Sequence, residues 1–142
     1  MDADEKLAKH VELIQGVINR MAGNSFVLKG WTVTLVAGLF ALAASGGNWM
    51  YAALGLLPSI SFWWLDAYYL RQERLFRKLH DAARRGELQG DLYSMNTAKY
   101  SESVSGLFST AFSKSVLALH GVVVAVVVAV TIILWNHAAK GP

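Results

Sequence analysis

The chain of 142 residues contains no cysteine. Disulfides, thiolate nucleophiles and cysteine-based metal sites are therefore excluded. Charge is scarce too: Asp, Glu, Lys and Arg make up 16% of the residues, against roughly 25% in soluble domains. None falls between Gly30 and Leu65, and none between Ser115 and Ala139. Such segregation is a membrane signature. The first residues, MDADEKLAKH, are acidic and lack the basic-then-apolar pattern of a cleaved signal peptide, so the first apolar span is expected to be retained.

Catalytic patterns are missing as well. The chain has no HExxH, no glycine-rich phosphate loop and no GxSxG. His10, His80, His120 and His137 are scattered, without metal-ligand spacing. A non-enzyme is expected, with no catalytic residue, no metal ligand and no cofactor. No nucleic-acid motif occurs, so DNA binding is not expected. Three spans provide no inverted repeat within the chain, which argues against a secondary transporter.

Hydrophobic residues make up 54% of the chain, and they are organised by helical periodicity. Leu7, Val11, Ile14, Ile18 and Met21 form an apolar stripe with heptad character. They predict an amphipathic helix within residues 1–25, started by Asp2 or Asp4 and broken or kinked at Gly23-Asn24. This helix either lies on the membrane or pairs with another helix, the protein's own cytoplasmic helix included. Residues 26–45 form the first predicted span, about 30 Å long at roughly 1.5 Å per residue. Lys29 lies near its start and can snorkel to the interface, where Trp31 is also at home. Gly30, Thr34, Gly38, Ala41 and Ser45 share one face, and small residues so spaced let helices approach closely in lipid.

After the uncharged turn Ser45-Gly46-Gly47-Asn48, the second predicted span covers residues 49–70. Its uncharged part, Trp49 to Leu65, is short, so the crossing needs part of the segment Asp66 to Leu70. Pro58 predicts a kink in mid-span. Asp66 marks the cytoplasmic boundary, where it pairs with a basic residue, lines the mouth of an oligomeric pore or transfers protons. Thr32, Thr34 and Ser45 are the other candidate lumen residues. The helix continues as a cytoplasmic extension over residues 71–86, ended by Gly86 and Gly90. Phe62, Leu65, Tyr69, Gln72, Phe76, Leu79 and Ala83 predict its contact face. Arg71, Arg74, Lys78 and Arg85 make a basic stripe that reflects topology or binds an anionic lipid, a nucleotide ligand or RNA.

Residues 87–114 read as a tucked-in loop with one short helix. The third predicted span is residues 116–135, dominated by β-branched residues that in lipid must be helical, since a lone strand leaves its backbone unsatisfied. Ala118, Gly121, Ala125 and Ala129 form a second small-residue face. His120, one turn inside, is expected to hydrogen-bond at a helix interface. Lys and Arg number 4 up to the start of the first span, 0 in the hairpin turn, 8 between the second and third spans and 1 after the third, a total of 13. The excess puts the N-terminus and the long loop in the cytoplasm and the C-terminus outside.

The expected fold is therefore an all-α integral membrane protein with three transmembrane helices, an N-terminal amphipathic helix and a second span extended into the cytoplasm. The bilayer and further copies of the chain are the expected partners, with a cytoplasmic protein as another. The runs RMAGNSFVLKGWTVTL (Arg20 to Leu35), FWWLDAYYLRQERLFRKLHD (Phe62 to Asp81) and DLYSMNT (Asp91 to Thr97) resemble small bacterial membrane proteins with two to four spans and a cytoplasmic helical extension. In layout the chain is similar to membrane effectors and accessory proteins of anti-phage systems, octameric ones included. The resemblance implies an inner-membrane homo-oligomer that acts as a channel or pore, or otherwise perturbs the membrane, in defence.

Overall fold

A computed structural model describes residues 2–88 and 92–140; Gly90, expected to help end the long helix, and Asp91 lie outside them. Among the described residues every regular element is a helix. The first, α1 (Ala3–Gly46), runs 44 residues without interruption. Asp2 caps it by accepting a hydrogen bond from the Glu5 amide at 2.8 Å, and Gly47 ends it in the left-handed region at φ 63°.

The expected break at Gly23-Asn24 does not occur. Both residues are exposed on the outer side of the helix. The inner side is one unbroken stripe in which Ile14, Ile18, Ser25, Thr32, Val36 and Ala43 are buried, with Met21 half-buried between them. A glycine on the outside of such a stripe costs only about 1 kcal/mol of propensity, which the packing on either side outweighs.

Asn48 caps the next helix, α2 (Trp49–Leu54), by accepting from the Met50 amide at 3.0 Å. The chain then enters α3 (Leu56–Arg84). Pro58, where a kink is expected, is preceded by an interruption of the helix one turn earlier, at Gly55. The proline ring excludes the carbonyl four residues earlier, that of Leu54, so helical bonding fails there. The Gly55 amide turns instead to Ala52 O at 3.0 Å. Gly55 also sits against the last helix: a Cβ there would lie 3.4 Å from Val127 Cγ1.

α3 ends in a Schellman motif. Gly86 takes φ 72°, its amide bonds Ala83 O and the Glu87 amide bonds Ala82 O, each at 3.0 Å. The return segment holds a 3-10 helix (Ala98–Ser103) and a short helix, α4 (Leu107–Ala111), where one short helix was expected. The last helix, α5 (Lys114–Lys140), extends beyond both predicted ends of the third span.

α1 and α3 run alongside each other for most of their length, and α5 completes the bundle. Ile14, Ile18, Leu79, Ala82, Ala83 and Leu88 form an apolar core at the N-terminal end of α1, flanked by Val11, Phe76, Met95 and Tyr100. The amphipathic N-terminal segment therefore packs on the protein's own long helix. The contact face expected along α3 holds at Leu79 and Ala83 but is rotated further up. There Asp66 and Ala67 are buried, while Leu65 is exposed.

Two helices, α1 and α5, are long and apolar enough to cross a membrane, and only 17% of each apolar window is buried in the bundle. Neither α2, at six residues, nor α3, whose apolar part ends at Leu65, qualifies alone.

Candidate functional site

Three helices bring one polar side chain or more to a common level. Ser25 and Lys29 stand one turn apart on α1, Asp66 comes from α3 and His120 from α5. Asp66 and His120 are fully buried, and the Lys29 side chain is 25% exposed. Lys29 Nζ lies 2.7 Å from Asp66 Oδ1 and 2.6 Å from Oδ2, so the ammonium bridges the carboxylate. It also donates to Ser25 Oγ at 2.7 Å, and the Ser25 hydroxyl donates to Asp66 Oδ1. His120 Nε2 stands 3.0 Å from Asp66 Oδ2.

The chemistry follows from the donor inventory. An ionised carboxylate only accepts, so His120 donates from Nε2 and its Nδ1 carries the lone pair. Nδ1 is buried and has no hydrogen-bond partner among the described residues. Trp63 covers the ring, with planes 10° apart and centroids 6.4 Å apart, and its indole Nε1 donates to Ala111 O at 2.8 Å. The carboxylate already has its cation in Lys29. The cluster is thus a nearly closed polar network that joins α1, α3 and α5.

The other residues singled out from sequence are dispersed. Thr32 is buried inside the bundle, and its hydroxyl bonds Leu28 O at 2.8 Å. Thr34 bonds Gly30 O and Ser45 bonds Leu42 O, both at 3.0 Å and both exposed. Gly30, Thr34, Gly38, Ala41 and Ser45 all face away from the bundle, and a Cβ at Gly30 or Gly38 would meet nothing within 4 Å. On α5, Val116, His120 and Val127 point inward, leaving Ala118, Ala125 and Ala129 exposed and Gly121 half-buried. Neither small-residue face packs inside this chain.

The basic stripe also divides. Arg71 braces the return segment, donating to Ser105 O at 3.2 Å and to Ser101 Oγ at 3.1 Å. Arg85 pairs with Glu87 and holds that carboxyl below its usual range. Arg74 and Lys78 have no hydrogen-bond or ion-pair partner among the described residues. With Arg77, Asp81 and the segment Ser103 to Ser105 they line an open cleft of about 370 Å³.

Sequence reading treated Lys29, Asp66 and His120 one at a time. The signal that unites them is depth: each lies near the cytoplasmic end of its apolar run, so a bundle with the expected topology brings them level. Ser25 and Trp63 carried no comparable signal. No protein-family model matches the chain, and neither does any curated protein or solved structure.

Proposed function

We propose that this chain is an integral protein of the bacterial inner membrane, crossing three times, and that it works as a homo-oligomer forming a pore. The second crossing joins α2 to the first turns of α3. The observation that carries this reading is the outward orientation of small residues on both helices, Gly30/Thr34/Gly38/Ala41 on α1 and Ala118/Ala125/Ala129 on α5, with Gly121 half-buried beside them. In lipid such faces gain most by meeting another helix at close range. Large apolar side chains such as Phe26, Trp31, Val122 and Ile133 are exposed around them, as a lipid-facing surface requires. The positive-inside count orients the protomer with the N-terminus and the Ile14–Leu79 core in the cytoplasm.

Because Asp66 and Thr32 are occupied within the protomer, Thr34 and Ser45 are the expected lumen residues that stay exposed to line a lumen with hydroxyls. Such a pore is narrow, largely apolar and gated by dewetting. Purified protein reconstituted in liposomes should form a discrete oligomer and leak ions. Gly38→Leu should lower the oligomer mass without unfolding the protomer, since its side chain enters free space. Tight liposomes despite correct insertion would remove the pore.

A second reading is a non-conducting membrane scaffold. Its supporting observation is the same shortage of polar lumen groups, together with the unpartnered Arg74 and Lys78 on the cytoplasmic extension. An oligomer without leakage favours it. Membrane perturbation in anti-phage defence is an extension drawn from the resemblance in layout, and it is tested by triggering leakage in infected cells.

A further inference from the structure

Toward the start of α3, about 15 Å before the unpartnered Arg74 at 1.5 Å per residue, lies a group of aromatic side chains that the bundle leaves uncovered. Phe108 of α4 is 68% exposed and Phe112, just after it, 50%. Their rings are 5.2 Å apart, and Phe108 lies 5.5 Å from Trp64, itself exposed. α4 is fixed by the bond from Trp63 to Ala111 O and by Thr110, whose hydroxyl bonds Gly106 O at 2.9 Å. The Trp63 bond thus ties α4 to α3 beside these rings.

Depth can be read along α5. From Lys114, which follows α4, to Trp135 is about 31 Å at 1.5 Å per residue, one hydrocarbon thickness. With Trp49 and Trp135 lining one apolar cleft at the far end, α4 falls at the opposite, cytoplasmic interface. That is where amphipathic aromatic side chains belong. The segment leading into α4, Ser103 to Ser105, forms the wall of the Arg74/Lys78 cleft. α3 runs outward from the membrane here. Side chains of a helix lean toward its N-terminus, so Arg74 and Lys78 lean back toward the bilayer.

We infer that α4 and the Arg74/Lys78 cleft together form a binding site for an anionic phospholipid. Phe108 and Phe112 enter the upper acyl layer, and Arg74 meets the headgroup phosphate. Lys78 adds attraction from within a Debye length. Arg77, which also lines the cleft, is already paired with Glu73, and Asp81 opposes a second phosphate, which together favour a singly charged headgroup such as phosphatidylglycerol. Arg71 acts as a strut, since its guanidinium is already committed to Ser101 and Ser105. The inference rests on the membrane reading above but needs neither an oligomer nor a pore.

The test uses the full chain released from phosphatidylcholine vesicles with and without phosphatidylglycerol, with retained lipid counted by native mass spectrometry. The wild type should keep phosphatidylglycerol in preference to phosphatidylcholine. R74Q/K78Q should lower that preference about tenfold or more, at roughly 1 kcal/mol per basic residue near the surface. R20Q/K140Q, with the same charge change elsewhere, should not. Phe108→Ser should weaken retention of both lipids. Equal preference in R74Q/K78Q and wild type would overturn the site, as would displacement of the lipid by an equal concentration of inorganic phosphate, which would make it a soluble-anion site. Carbonate-resistant pelleting of the wild type, run in parallel, tests the membrane reading separately.

Discussion

Around Ile14 and Leu79 the helices bury aliphatic side chains and turn charge outward, whereas around Asp66 the same two helices bury a carboxylate and turn Phe26, Trp31 and Leu65 outward. The first arrangement answers to water, where burying apolar surface drives packing. The second is the arrangement that the proposed membrane setting would favour, since in lipid packing geometry and polar contacts hold helices together. One continuous α1 serves both. Its inner stripe passes from Ile14 and Ile18 to Ser25, Lys29 and Thr32 with no change of register.

Breaking the polar junction should have the largest effect. Asp66→Ala leaves the Lys29 ammonium without its carboxylate, at a cost of about 3–5 kcal/mol. Thermal unfolding in detergent should fall accordingly, and Lys29→Met added to Asp66→Ala should recover most of the loss. A failure of that rescue would mean that the junction does more than neutralise a charge.

In the apolar core around Ile14 the matching cut is Leu79→Ala. It should cost about 2–5 kcal/mol by removing a buried side chain from the core. Proteolysis between Gly86 and Lys99 should accelerate, since Leu88, Met95 and Tyr100 lose their support. The α1–α5 contact should survive, and loss of both halves together would show that they are one cooperative unit.

Gly55→Leu probes the α2–α5 contact. The added side chain collides with Val127 and should cost about 1–3 kcal/mol. Crosslinking between cysteines introduced at Ala52 and Val127 would then drop. The smallest effect is expected at Gly23→Ala, on the exposed side of α1. With nothing within 4 Å of the new Cβ, it should stabilise by about 0.5–1 kcal/mol. A destabilised Gly23→Ala would point to a partner on that face.

Much of this arrangement is written in local pattern. The charge-free runs, the Leu7-to-Met21 stripe and the Gly86 stop each correspond to an observed feature, because each depends on residues close in sequence. Other expectations depended on what lies opposite. Gly23-Asn24 reads as a break by propensity alone, but two packed faces in register carry the helix through it. Pro58 marks a defect whose position, Gly55, depends on the carbonyl that the ring displaces and on the room Val127 leaves. The contact face of α3 turns toward Asp66 because Lys29 and His120 wait there.

The sequence by itself determined that the chain is helical, where its apolar runs lie and which residues can cap or end a helix. These are consequences of periodicity and backbone chemistry. Only the tertiary structure decided that Ser25, Lys29, Asp66 and His120 meet, that Arg71 is a strut and that both small-residue faces look outward. Those outcomes depend on the rotation of each helix about its axis. That rotation is set by the side chains of its neighbours and by no stretch of sequence alone.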